Sequence, residues 1–314
     1  ADYNIAAFSM VKYVLRRLFH SIFMILGITI IIFVITNVLG DPVALMMEPD
    51  ATQKQYEMLR RELGLERPYH FQYFLFLKKL AQGNFGRSFQ FEEPAFSLVM
   101  QHLPATIELT MASLLFAASV AIPVGIISAV KPYSLLDKIG RLFALAGQSA
   151  PGFWLGIMAI LLFGVKLRIL PISGRDGLSH LILPAVTLGF YAMAAIMRLT
   201  RSAMLDVLDS DYIRTARIKG LAESKVVLKH GLKNALIPVI TIISLFMGRL
   251  LGGAVITETI FAWPGMGRLA VQAIQASDFP VVQAVVFSMS VMFIFINLSV
   301  DILYCWIDPR ISHE

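Results

Sequence analysis

Charge is scarce in this sequence. Asp, Glu, Lys and Arg make up 15% of the 314 residues, hydrophobic residues make up 57%, and the mean hydropathy is +0.71. Soluble domains carry about 25% charged residues, so this chain has too few ions to coat a water-facing surface, and its bulk has to be helices facing lipid. Cysteine is nearly missing too. Cys305 alone excludes an internal disulfide and a cysteine-built metal centre, and its setting between Tyr304 and Trp306 reads as packing. The six histidines, His20, His70, His102, His180, His230 and His313, have no metal-ligand spacing. No His-Glu-x-x-His, no nucleophile elbow and no Gly-x-x-x-x-Gly-Lys-Ser/Thr loop occurs. The expectation is a chain without catalytic residues, metal site or ATP site of its own. Low-complexity linkers and strong internal repeats are missing as well.

What the chain has in abundance is the long apolar run. About 20 apolar residues cross a hydrocarbon layer of about 30 Å. Six stretches reach that length, with helices expected over about 12–39, 104–130, 137–165, 180–205, 234–257 and 281–306. Pro123, Pro151, Pro184 and Pro238 lie in or near them and predict bent helices, which membrane proteins tolerate where neighbours satisfy the freed backbone groups. Basic residues gather before the first span (Lys12, Arg16, Arg17), between the second and third (Lys131, Lys138, Arg141), and between the fourth and fifth. By the positive-inside rule these loops and both termini are cytoplasmic, although Lys166, Arg168 and Arg175 then lie outside. The same rule accounts for the net charge of +6 without a nucleic-acid partner. Residues 1–9 precede Met10-Val-Lys and read as an added leader or the product of an alternative start. The apolar run after Arg17 exceeds a signal-peptide core and has no small-x-small site, so it reads as a first span.

The outer loop from Gly40 to Leu103 is too long for a simple connection. Tyr56, Leu59 and Leu63 predict a helix over 51–63 stopped by Gly64. An aromatic-rich amphipathic helix follows over 69–80, lying on the membrane or, as favoured here, packed into a small cap over the spans.

Between the fourth and fifth spans lies a polar, basic island. Asp211 to Gly220 reads as a short helix between Ser210 and Gly220, with Asp209 and Asp211 as acceptors near its start and Lys219 near its end. Ala216 is small enough to let another surface approach. A second helical run from Glu223 to about Leu236 pairs Val227 with Gly231 and Leu228 with Leu232 at four-residue spacing, before the chain re-enters the membrane at Pro238. By charge alone this is either a loop attracted to anionic headgroups or a helix-turn-helix that sits in a groove of a cytoplasmic partner.

The order of residues is more specific. Arg214-Thr215-Ala216-Arg217-Ile218-Lys219-Gly220-Leu221, followed by Leu232-Lys233-Asn234-Ala235-Leu236-Ile237-Pro238, resembles the cytoplasmic signature loop of permease subunits of ATP-binding-cassette (ABC) importers. In that superfamily the loop usually reads Glu-Ala-Ala, three residues, Gly; here Arg214-Thr215-Ala216 replaces the triplet and Gly220 is kept, as in the dipeptide, oligopeptide and nickel branch. Further segments similar to that branch are Tyr13-Val-Leu-Arg-Arg-Leu, Gly40-Asp-Pro42, Leu63-Gly-Leu, Gly83-Asn-Phe-Gly-Arg-Ser88, Leu103-Pro-Ala-Thr-Ile-Glu-Leu109, Phe153-Trp-Leu-Gly156, Ile182-Leu-Pro-Ala185, Glu258 to Gly267 and Asp308-Pro-Arg310.

The resemblance implies an all-α membrane protein of six transmembrane helices: a type I ABC importer transmembrane domain over residues 10–314, with a cytoplasmic coupling helix. It implies a bacterial inner-membrane location, a second homologous permease in a heterodimer, two cytoplasmic ATPases holding ATP-Mg, and an extracytoplasmic solute-binding protein. The cargo would be di- or oligopeptides, or nickel and related chelates. Asp211, Tyr212, Arg214, Thr215, Ala216, Arg217, Lys219, Gly220 and Leu221 would dock on an ATPase.

Polar residues within the spans are the remaining candidates. Arg249 lies near the centre of the fifth span, where a charge costs about 2.5–3.5 kcal/mol on insertion scales. It therefore lines the translocation path or forms a structural pair. Glu108 and Asn297 are further path candidates, and Asp301 is read as a packing residue. Glu258, Trp263, Pro264 and Gly265 form an outer loop that contacts the binding protein, gates the path, or simply turns the chain. Two other classes stay open: an ion-coupled secondary transporter, resting on Arg249 and Glu108, and a non-transporting membrane scaffold.

Overall fold

The computed structural model describes residues 2–39, 43, 52–62 and 64–307. Gly40-Asp-Pro42, Leu63 and Asp308-Pro-Arg310, flagged in the sequence, lie outside the described residues. In chain order, α1 (Asp2–Phe33) runs into a π-helical turn (Val34–Leu39), followed by α2 (Gln53–Glu62), α3 (Tyr69–Ala81), α4 (Ala95–Val130) and α5 (Leu135–Ser149). Next come α6 (Gly152–Ala159, extended by a π-helical turn, Ile160–Lys166), α7 (Leu178–Leu208), α8 (Asp211–Ile218) and α9 (Glu223–Lys225, followed by a π-helical turn, Val226–Gly231). The chain continues through α10 (Leu232–Ile260), α11 (Met266–Gln275) and α12 (Phe279–Ile307). Among the described residues there is no strand, only an isolated bridge between Arg87 and Pro94.

Among the described residues five helical stretches are long and apolar enough to cross a membrane: Arg16–Thr36, α4, α7, Glu223–Ile260 and Phe279–Ile302. A sixth crossing is formed if α5 and α6 count as one span, but the two are bent by 110°. The prolines behave unequally. Pro184 and Pro238 lie inside unbroken helices, whereas Ala150, just before Pro151, is extended (φ −78°, ψ 129°). The proline ring disfavours helical backbone in the residue before it, and here that preference ends α5 and restarts the chain as α6.

The described residues group into two compact units, those within 2–105 together with 264–298, and 106–263 together with 299–307. In the first, α2 opens on a reciprocal cap in which the Thr52 backbone N–H donates to Gln55 Oε1 (2.8 Å) and the Gln55 N–H to Thr52 Oγ1 (3.4 Å). The aromatic stripe of α3 is divided. Tyr73 shares a hydrogen bond of 2.8 Å with Thr29 and packs with Phe76 on Phe33, while Tyr69 and Phe74 stay exposed. The core of this unit gathers Phe85, Leu98, Val99, Met266, Leu269 and Val285. Buried Asp278 fastens the 83–94 segment to it, accepting from Ser88 Oγ (2.5 Å) and the Gln90 N–H (3.3 Å).

In the second unit α7 is the central helix, with two-thirds of its apolar window buried against about two-fifths for Glu223–Ile260. Small residues let its neighbours approach, as they do generally between membrane helices. A Cβ on Gly189 would lie 2.5 Å from the Ser113 carbonyl oxygen of α4, so only glycine permits that crossing.

Candidate coupling site

The island folds into a stapled helical corner. Ser210, extended at the start of α8, makes no side-chain cap; its hydroxyl donates back to the Val207 carbonyl (2.5 Å). Asp209 and Asp211, expected to accept from the first turn, instead face Arg214, at 2.9 and 3.7 Å. Charge-assisted bonds to a guanidinium are stronger than those to neutral N–H donors, so the basic residue one turn along captures both carboxylates. At the other end the Gly220 N–H donates to the Arg217 carbonyl (2.9 Å) and the Leu221 N–H to the Ala216 carbonyl (3.4 Å), with Gly220 left-handed at φ +75°. This is a Schellman stop, with the apolar contact between Leu221 and the end of the helix that accompanies it.

Two further contacts lock the corner. Arg217 forks onto Glu223, Nη2 to Oε1 at 2.7 Å and Nε to Oε2 at 3.2 Å, and holds that carboxyl below the usual carboxylate range. Asn234 Nδ2 donates to the Tyr212 hydroxyl (2.7 Å), tying α8 to the start of α10.

The faces of α8 are sorted differently from the sequence expectation. Ile213 and Ala216, three residues apart on one face, are buried with Val226, and Leu221 packs beside them. Ala216 is therefore part of the corner's own core and not an exposed seat for a partner. Tyr212 (45% exposed), Arg214, Thr215 and Lys219 point outward, as does Ile218, 86% exposed. Sequence reasoning passed over Ile218. Its signal was available: it lies out of phase with the Ile213–Ala216 stripe and so has to face away from it. In the second helical run Val227 and Gly231 are buried together at their four-residue spacing, while the π-helical turn over 226–231 also buries Val226 and leaves Leu228 exposed.

The other candidates separate into bonded and unbonded groups. Glu108 accepts from Arg175 Nε (2.8 Å), and the Arg175 guanidinium lies over the Trp263 ring (5.8 Å to the centroid). Glu258 is fully buried and accepts from Thr106 Oγ1 (2.7 Å), while its carbonyl accepts from the Trp263 N–H (2.8 Å). Trp263 is buried too, so both serve the interior of the corner after α10. Half-buried Pro264 precedes Gly265, whose extended backbone starts α11. Asn297 donates to the Phe293 carbonyl of its own helix (2.8 Å). Arg249 is exposed and makes no hydrogen bond or ion pair among the described residues. Among those residues no group of three His, Cys, Asp or Glu side chains is placed to hold a metal ion.

A polytopic helical chain with a stapled polar corner between two spans is the architecture of a type I ABC importer transmembrane domain. The fold matches a chain of the MetNI methionine ABC transporter, solved in inward-facing conformations, with a TM-score of 0.55, 19% identity and coverage of 67% of this chain and 96% of that one. The sequence then makes the assignment. Residues 121–313 match the family described as "Binding-protein-dependent transport system inner membrane component", and residues 10–110 match its N-terminal region. The chain belongs to that family.

Similar proteins include the dipeptide transport system permease protein DppB of Alkalihalophilus pseudofirmus (41% identical, covering 97% of this chain and 100% of that protein) and DppB of Escherichia coli K12 (39%, with the same coverage). The glutathione transport system permease protein GsiC of Salmonella choleraesuis is 40% identical, again over 97% of this chain and 100% of that protein. The chain is thus a multi-pass inner-membrane permease subunit of a binding-protein-dependent ABC importer, a transport subunit that works with ATPase and binding-protein subunits.

Proposed function

We propose that this permease imports di- or oligopeptides, glutathione among them, as one half of a heterodimer with a second homologous permease. Two cytoplasmic ATPases holding ATP-Mg and an extracytoplasmic solute-binding protein complete the assembly. Both termini face the cytoplasm. The dipeptide and glutathione permeases to which the chain is similar favour peptides over nickel or other chelates as cargo.

The observation that carries the coupling role is the outward face of α8: Ile218 and Tyr212 stand in solvent on a helix held at both ends. An isolated loop has no reason to be braced so firmly, and a large exposed apolar side chain on a rigid helix is the form of an anchor for a partner's pocket. Closure of the ATPases around ATP would push α8, and the Ile213–Ala216–Val226 core would carry the movement into α7 and α10 as one body.

Reconstitution tests this reading. Labelled dipeptide and glutathione uptake is measured in proteoliposomes holding both permeases, with ATPases, binding protein and ATP supplied or withheld. Uptake that needs all of them is the expected result. Gradient-driven uptake without ATPases would establish a secondary transporter instead. ATP hydrolysis that binding protein and peptide fail to stimulate would leave a scaffold.

A further inference from the structure

The second unit contains a cavity of about 450 Å³ between α5, α7 and the end of α4, which neither the coupling site nor the path residues use. Three guanidiniums reach it: Arg141, Arg198 and Arg201. Among the described residues the one carboxylate paired with them is Asp137, fully buried, which accepts from Arg201 (2.8 Å) and lies 3.4 Å from Arg141. Arg198 bonds only a neutral partner, Gln148 Oε1, at 2.7 Å. Three positive charges therefore share one carboxylate, and Arg198 has no ion-pair partner among the described residues.

The walls are otherwise apolar, with Ala144, Leu145 and Met197 among them. The outer side of α5 continues this character, exposing Ile139, Leu142, Phe143 and Leu145 in one stretch. Arg201 lies seven residues before the end of α7 at Leu208, about 10 Å along the helix axis. The cavity thus sits within about two turns of the end of α7 that leads into α8.

A surplus of guanidinium beside exposed apolar side chains, near the end of a membrane-length helix, matches one kind of occupant. We infer that this cavity binds the phosphate headgroup of an anionic phospholipid, with Arg198 and Arg141 on the phosphate and the acyl chains along Leu142 and Leu145. Basic pockets between membrane helices near the cytoplasmic face bind such headgroups for the same reason: attraction to the charge, with the chains left in an apolar setting. The inference rests on the membrane location of the chain and is independent of its cargo.

The test uses the assembled transporter, purified in mild detergent and delipidated. Native mass spectrometry and thermal unfolding are followed while phosphatidylglycerol, phosphatidylcholine or inorganic phosphate is added. The expected result is retention of phosphatidylglycerol in preference to phosphatidylcholine, with a matching thermal shift that inorganic phosphate does not reproduce. Arg141→Gln with Arg198→Gln should weaken that retention by about tenfold or more. Arg198→Gln alone, which leaves both guanidiniums on Asp137, should weaken it to a lesser degree, and Arg198→Lys should retain most of it. Equal retention of the two lipids, unchanged phosphatidylglycerol binding in the variants, or an equal shift with inorganic phosphate would each overturn the lipid site. Because the readout is lipid binding, a failure of peptide uptake leaves the result intact.

Discussion

Arg217 and Glu223 face each other across the left-handed Gly220 turn, paired through the Nε–Nη2 edge of the guanidinium at 3.2 and 2.7 Å. The pair closes the only polypeptide link between α8 and the segment that returns to the membrane. Its side chains are about half exposed, and exposed pairs contribute about 0.2–1 kcal/mol. Its value is in fixing an angle more than in holding the fold.

Glu223→Gln should accordingly leave membrane insertion and the melting temperature of the purified protein nearly unchanged, while lowering ATP-driven uptake severalfold. Because Arg217 depresses the Glu223 carboxyl, the contribution of the pair is present above the unfolded carboxylate pKa of about 4.3 and lost as pH falls through the lower folded value. The defect of the variant should therefore be constant between pH 6 and 8, about the range in which the wild-type pair stays ionised. Uptake equal to wild type, or a defect that varies across this window, would remove the clamp.

Ala216 and Ile218, two residues apart, should respond in opposite ways to the same change. Ala216→Asp places a carboxylate against Val226 and Ile213, and an unpaired buried charge is among the few mechanisms that destabilise strongly. It should lower stability or expression, and uptake with it. Ile218→Asp alters a side chain in solvent, so stability should hold while ATPase co-purification falls about tenfold or more, as for truncation of an interface anchor. Thermal unfolding alongside affinity co-purification separates the two. Normal co-purification with Ile218→Asp would put the docking surface elsewhere.

How far these features are legible in the sequence depends on the range of the interactions behind them. The stop at Gly220 is local, since a glycine after Lys219 ends the helix with a left-handed residue that other side chains resist. The five unbroken crossings among the described residues follow from apolar length, and a sixth is added if α5 and α6 count as one span. The break at Pro151 is less legible: Pro184 and Pro238 have the same ring and sit in unbroken helices. What separates them is whether surrounding helices hold the preceding residue helical, which is a tertiary matter. The partner of Glu108 stands 67 residues away at Arg175, and no spacing rule reaches it. The inward face of Ala216 was legible from its spacing to Ile213, but smallness suggested an approach surface and obscured the stripe.

Gly189 offers a test of packing remote from the coupling corner. A methyl group there would meet the Ser113 carbonyl at 2.5 Å and the Phe116 ring at 3.2 Å. Backbone cannot yield as a flexible side chain does, and overpacking of this kind costs about 1–3 kcal/mol. Gly189→Ala should lower the melting temperature by several degrees, whereas Gly252→Ala, with nothing within 4 Å of its added carbon, should be neutral. Equal melting temperatures for the two would show that α4 and α7 do not approach so closely.

Arg249 gives the sharpest division between a path residue and a structural one. It lies near the middle of α10, exposed together with Leu245, Gly252 and Ile256 on one side of the helix. Gly252 leaves open space beside it. A guanidinium at that depth costs about 2.5–3.5 kcal/mol against lipid, so that side of α10 has to meet water, cargo or another protein group. If it meets cargo, the peptide carboxylate is the complementary ion. Arg249→Leu should then reduce peptide uptake by about tenfold or more, as for loss of one member of a desolvated charge pair. Arg249→Lys should keep part of it, and a peptide amidated at its C-terminus should be carried poorly by wild type and no worse by Arg249→Leu. Assembly and basal ATP hydrolysis should be unchanged in both variants. Loss of the second permease from the purified complex in Arg249→Leu would identify a pair between the permeases and end the path role, because a residue that holds the assembly together cannot be scored as a contact for cargo.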